Sequence, residues 1–247
     1  MKIIGIIPAR FESTRFPGKP LVSIAGVPMI QRVYEQAKKV ERFSEVVVAT
    51  DDERIFDFVE NFGGKVQMTK ASHINGTERC AEVAEAIIDA DIIINIQGDE
   101  PFIAPAQIDL LIDQLIAQQR GIATLAKQLF SERDWKDANI VKVLFDKNYR
   151  VLYFSRAAIP YNRSTANNSW NTNQHYYKHI GLYGYYRDTV LEICTLKRTP
   201  LELSESLEQL RWLENGFEIG IAITNSESIS VDHPSDVSKA EKWLSDK

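Results

Sequence analysis

Within IIPARFESTRFPGKPL, residues 6 to 21, three cations (Arg10, Arg15 and Lys19) share a loop of Ser, Thr, Pro and Gly. The loop directly follows a strand-like apolar run, and the carboxyl end of a parallel strand is where an open α/β sheet usually holds its ligand. Cations placed there suit an anion; a solvated basic turn is the other reading of the same residues. Two familiar phosphate cradles fail on spacing. Pro20 follows the Gly18-Lys19 pair where a P-loop needs Ser or Thr, and no glycine stands five residues before Gly18. The loop also lacks the Gly-x-Gly-x-x-Gly of dinucleotide sites.

Other polar residues carry two readings each. Asp99 follows Gly98 just after the run DIIINI, which aims its carboxylate at the sheet edge, while Asp232 lies in SVDHPSD; each is also a plain turn or cap former. Asn75 or Thr77 suits a helix cap in NGTER, where Gly76 permits close approach of a ligand and Arg79 falls in the first turn. Asp51 and Asp52 precede ERIFDFVENF and read as N-caps. His179 reads as a satisfied structural histidine and Tyr183 as a core aromatic. Glu208 and Gln209 read as the solvated face of a helix that also carries Leu207, Leu210, Trp212 and Leu213.

The elements that must position these residues alternate in type. KIIGIIP (2 to 8), EVVVAT (45 to 50), GKVQM (64 to 68) and DIIINI (91 to 96) read as strands, three of them apolar enough to be covered on both faces. Between them, residues 28 to 40 predict a helix opening at Pro28 with Met29, Ile30, Val33, Ala37 and Val40 on one face. Residues 77 to 89 predict another, burying Cys80, Val83, Ala84, Ile87 and Ile88. Strand, helix, strand in this order implies right-handed crossovers and a doubly wound, mostly parallel α/β sheet. After Gly121 the runs IATLAKQ, NIVKVLFD and YRVLYFSR are closely spaced strands, with a turn at residues 146 to 148, and form a small antiparallel lobe. The polar stretch 162 to 174 reads as a mobile loop, and helices are expected at about 203 to 215 and 235 to 245, the latter capped by Ser235 or Asp236.

Composition narrows the partners. A formal net charge of −5 argues against a nucleic-acid-coating surface, so the basic loop is a local feature suited to a small anion. Cys80 and Cys194 are the only cysteines and have no metal-binding spacing, which suits a reducing compartment. No window approaches a membrane span or a cleavable leader, so a cytoplasmic protein without membrane attachment is expected.

Taken in order, PARFESTRFPGKPL, TDDERI, GTER, NIQGDEP, YFSRAAIP, HIGLYGY, LEQLRWLENG and VDHPSD span almost the whole chain and resemble the 3-deoxy-manno-octulosonate (KDO) cytidylyltransferases. The resemblance implies a single nucleotidyltransferase domain over residues 1–247, of the nucleotide-diphospho-sugar transferase type, with a lobe or dimerisation extension at about 121–186. It implies transfer of CMP from CTP to the anomeric hydroxyl of an acidic eight-carbon sugar, with release of pyrophosphate, for lipopolysaccharide biosynthesis. Mg2+ as cofactor and a homodimer are implied as well. Carried over by position, Arg10 and Lys19 contact phosphates, Ser13 and Gly76 line the nucleotide, and Asp99 and Asp232 hold the metal, with Arg10, Lys19 and Asp99 catalytic. Arg79, Gln97, Arg156, His179, Tyr183, Glu208 and Gln209 meet the sugar acid. The family usually has Ser where this chain has Asn75. Phosphoryl transfer explains the cations, because its catalysis consists mainly of positioning and of stabilising charge on phosphate oxygens. Two alternatives remain: a nucleotidyltransferase for another acidic sugar, such as a sialic acid or amino-substituted KDO, and a catalytically silent nucleotide-sugar-binding protein.

Overall fold

The β-branched runs become strands and the amphipathic ones helices in the structure, a computed structural model that describes residues 1–12, 16–163, 170, 174–226 and 229–246. In chain order the first elements are β1 (Ile3–Ala9), β2 (Ser23–Ile24), β3 (Val27–Pro28), α1 (Met29–Ala37), β4 (Glu45–Thr50), α2 (Glu53–Asn61), β5 (Val66–Met68), α3 (Gly76–Ala86), β6 (Ile92–Asn95) and α4 (Pro105–Gln118). They are followed by β7 (Ile122–Leu129), α5 (Glu132–Lys136), β8 (Lys142–Phe145), β9 (Val151–Ser155) and β10 (Tyr176–Tyr186). The last are α6 (Arg187–Ile193), α7 (Pro200–Glu205), α8 (Gln209–Glu214), β11 (Ile219–Ile223) and α9 (Pro234–Ser245). Two compact units divide the chain: Met1–Asp109, Tyr186–Cys194 and Glu227–Lys247 form the first, and Leu110–Tyr185 with Thr195–Ser226 the second. No described helix is long and apolar enough to cross a membrane.

In the first unit β1 lies between β6 and β4, and β5 pairs with β4, every neighbour parallel. Ile3, Ile4, Ile6 and Ile7 of β1 are all buried, so both faces of the strand are covered, as parallel crossovers require. The expected helical faces hold with two adjustments. Pro28 is the N-cap of α1 and lies outside the helix proper. Helix α3 ends at Ala86, so Ile88, expected on the buried face, is 80% exposed. The C-terminal helix α9 closes this unit, its Ala240 and Trp243 packing with Ile24, Met29, Phe102 and Val231. Its N-cap is His233 rather than Ser235 or Asp236; Asp236, in the first turn, accepts hydrogen bonds from the backbone N–H groups of Asp232 and His233.

The second unit places β7 between β11, parallel, and β10, antiparallel, while β8 pairs antiparallel with both β10 and β9. The antiparallel character expected after Gly121 is therefore present. Where one helix is expected over 203 to 215, two form, because Ser206 adopts the left-handed conformation (φ 52°) and caps the end of α7. The expected loop at 162 to 174 lies largely outside the described residues.

Candidate active site

The carboxyl ends of β1 and β6 open onto a cavity of ≈ 330 Å³ in the first unit. Its walls come from Pro8, Ala9 and Arg10 after β1, Lys19 and Pro20 further along the same loop, and Gln97, Gly98 and Asp99 after β6. The turn into α3 adds His73 to Gly76 and Arg79, and the approach to α9 adds Asp232. Backbone proximity shapes this edge. A Cβ at Gly98 would come within 2.9 Å of the Pro8 carbonyl oxygen, so the turn after β6 closes on Pro8 as a glycine, and one at Gly76, the first residue of α3, would crowd Pro8 Cγ at 3.0 Å.

The opening loop is fixed at its roots. Gly18, at φ 69°, donates its backbone N–H to the Phe11 carbonyl at 2.9 Å. The Arg54 guanidinium covers the Phe11 ring at 3.3 Å from its centroid while pairing with Asp52. This geometry delivers Lys19 between two carboxylates: its ammonium lies 2.7 Å from Asp99 Oδ2 and 3.4 Å from Asp232 Oδ1. Asp232 reaches the site because Val231 donates its backbone N–H to the Asp99 carbonyl at 2.9 Å and α9 is anchored in the core behind it.

Arg79 is 3% exposed and its guanidinium donates to Asp51 Oδ2, at 2.8 Å, and to Thr69 Oγ1. The cap expected at Asp51 is supplied by Asp52, whose Oδ1 accepts from the Arg54 backbone N–H, and Asp51 is instead the partner of Arg79. Asn75 caps α3, its Oδ1 accepting from Glu78 N at 2.8 Å. Arg10, Lys19, Gly76, Arg79, Gln97, Asp99 and Asp232 thus meet around one cavity. Ser13 and Arg15 lie outside the described residues.

The second unit gathers another part of the expected set. A bulge in β10 between Ile180 and Tyr183 places the Thr124 hydroxyl 3.0 Å from His179 Nε2 and 2.9 Å from the Leu182 carbonyl oxygen. Burial pushes His179 down to about 3, so its ring is neutral, and the rings of His179 and Tyr183 are 5.3 Å apart. Burial, and then the Glu208 charge, hold the Tyr183 hydroxyl well above its ordinary value. Glu208 Oε1 accepts from the buried Arg211 at 2.7 Å. Gln209 is 6% exposed, which corrects its reading as part of a solvated face. Arg156 donates through Nε to the Glu205 carbonyl and through a terminal nitrogen to that of Ala138. Its own carbonyl accepts from the buried ammonium of Lys142 at 2.7 Å.

Sequence reasoning did not reach His73, Ile74 or Gly98 as cavity residues. Gly98 has a signal, the glycine before an Asp at a strand end; a lone His and a lone Ile in SHINGTER have none.

The family model described as Cytidylyltransferase matches residues 4–223. The 3-deoxy-manno-octulosonate cytidylyltransferase of Parabacteroides distasonis is 49% identical over 252 residues, covering 100% of both chains. The enzyme of the same name from Geobacter metallireducens is 51% identical over 255 residues, covering 99% of this chain and 98% of its own. A solved CMP:2-keto-3-deoxy-manno-octonic acid synthetase, complexed with CTP, superimposes with a TM-score of 0.93 at 39% identity, covering 100% of this chain and 99% of that one. A glycine beyond the end of β6, a lysine between two carboxylates and full-length similarity agree: this chain belongs to the 3-deoxy-manno-octulosonate cytidylyltransferases, within the cytidylyltransferase family.

Proposed function

We propose that this chain transfers CMP from CTP to the anomeric hydroxyl of 3-deoxy-D-manno-octulosonate, giving CMP-KDO and pyrophosphate. The observation that carries the reading is Lys19, held by Asp99 and Asp232 at the mouth of the β1–β6 edge. The oxygen of the sugar hydroxyl attacks the α-phosphorus, the bond to the bridging oxygen of pyrophosphate breaks, and the hydroxyl proton leaves to solvent. No protein nucleophile is needed. Arg10 and Lys19 offset charge on the triphosphate and on the departing pyrophosphate.

The donor set fits Mg2+. Two carboxylates that converge on one ammonium can converge on one ion. Mg2+ is commonly held by one or two carboxylates and completes its shell with water and phosphate oxygens, which this pair suits. Asp99 and Asp232 would hold it, and when bound it supplies Lewis-acid stabilisation of phosphate oxygens.

For the sugar acid we keep the residues that the resemblance implies: Arg79, Gln97, Arg156, His179, Tyr183, Glu208 and Gln209. A neutral His179 and an un-ionised Tyr183 suit hydroxyl recognition and leave the sugar carboxylate to an arginine. We place the enzyme in the cytoplasm, and assign the dimer contact to the lobe, which exposes Leu152 and Tyr161.

The test is an isotope experiment. KDO carrying 18O at its anomeric hydroxyl should yield CMP-KDO with the label in the sugar–phosphate bridge and unlabelled pyrophosphate. An unlabelled bridge would contradict direct displacement.

A further inference from the structure

Lys142, the first residue of β8, is 0% exposed, and its ammonium donates to three backbone carbonyl oxygens: Asp137 at 2.7 Å, Ile140 at 2.5 Å and Arg156 at 2.7 Å. Three carbonyls call for three N–H donors, which only the protonated amine has. Burying that charge is costly unless each donor finds an acceptor, and here every one does. The cage ties the turn after α5 to the end of β9, whose last residue, Ser155, lies opposite Lys142 in the sheet. All of these residues belong to the second unit.

Arg156 is the residue these bonds fasten. Lys142 holds its carbonyl. Glu205, the last residue of α7, accepts the Arg156 backbone N–H on Oε2 at 2.9 Å and the Ser155 hydroxyl on Oε1 at 2.6 Å, while the Glu205 carbonyl accepts from Arg156 Nε at 2.8 Å. The Ala138 carbonyl, in the turn that Lys142 closes, accepts from a terminal guanidinium nitrogen at 3.0 Å. Both side-chain bonds therefore go to carbonyl dipoles. Among the described residues the guanidinium forms no ion pair, and its other terminal nitrogen has no partner. A half-buried guanidinium fixed in one place with donors to spare suits a planar anion such as a carboxylate. On the proposed function, in which Arg156 meets the sugar acid, we infer that Lys142 and Glu205 are positioning residues that lock the backbone and guanidinium of Arg156 before the sugar carboxylate arrives. An arginine ordered in advance spares the complex the cost of ordering it on binding.

The test measures turnover of CTP and KDO by the whole chain for the unaltered protein, Lys142→Met, Glu205→Ala, Glu205→Gln and Arg156→Ala. Lys142→Met and Glu205→Ala are also each combined with Arg156→Ala. Alone, these two changes should raise KM for KDO roughly tenfold, with kcat and KM for CTP as before. Glu205→Gln, whose amide oxygen can still accept from the Arg156 backbone N–H, should recover part of the loss. In the Arg156→Ala background neither change should raise KM for KDO further, because both act through the arginine. If Lys142→Met fails to fold, the Glu205 variants decide, since that side chain is only half-buried at the end of a helix. Unchanged KM for KDO in Glu205→Ala, or the same rise with and without Arg156, would overturn the inference. A normal KM for KDO in Arg156→Ala would also overturn it while leaving cytidylyl transfer in place. An unaltered protein that releases no pyrophosphate from CTP and KDO would overturn the proposed function itself, and the failures are therefore distinct.

Discussion

Lys19 is the residue on which the chemistry converges. With side chains 17% exposed for Lys19 and 25% for Asp99, the pair at 2.7 Å is shielded from water enough that its charges are felt strongly. Replacing Lys19 by Ala should cut turnover by about 2 to 4 kcal/mol of barrier, the scale of one preorganised donor, and leave the fold intact. Steady-state kinetics beside thermal unfolding checks this, and near-normal turnover and CTP affinity would return the loop to a basic turn. Asp99 and Asp232 should behave as one unit. If both serve a shared ion, Asp99→Asn with Asp232→Asn should be little worse than the poorer single variant, and each single change should raise the magnesium needed for half-maximal rate. Effects that multiply independently, with unchanged magnesium dependence, would separate the two residues. The cations and carboxylates are visible in the sequence as types. Their meeting is not, because Lys19 is separated from its two partners by 80 and 213 positions.

At the scale of elements, what was legible was what short-range pattern controls. The run EVVVAT becomes β4 with the expected bounds because continuous β-branched residues suit a strand covered on both faces. The break between α7 and α8 was not legible, since the apolar spacing runs on through Ser206 and only its positive φ ends the helix. The bulge in β10 was equally hidden, yet it puts His179 against Thr124. That placement has a consequence for acid stability. The folded state holds His179 at about 3 against an ordinary 6.5, so between these values the unfolded chain binds a proton that the folded chain refuses. Stability is therefore full above pH 6.5 and falls as pH drops through the window, by at most about 1.4 kcal/mol per pH unit from this group. Denaturant titrations from pH 7 to 4 should show that slope in the unaltered protein and a shallower one in His179→Phe. Identical slopes would mean that His179 is protonated in the folded state.

For the whole molecule, a net charge of −5 makes the cationic loop a local device, and only the order of eight motifs along the chain pointed to an activated sugar acid. That assignment of substrate pair is the central claim, because one hydroxyl or amine on the sugar is read by pocket geometry that no spacing in the sequence encodes. The direct measurement is pyrophosphate release, with magnesium, for CTP, UTP, ATP and GTP, each combined with KDO, an amino-substituted KDO and a sialic acid. The account predicts that CTP with KDO has the highest kcat/KM of all pairs. A higher value for another nucleotide or another sugar acid, or no release from any pair, would contradict it.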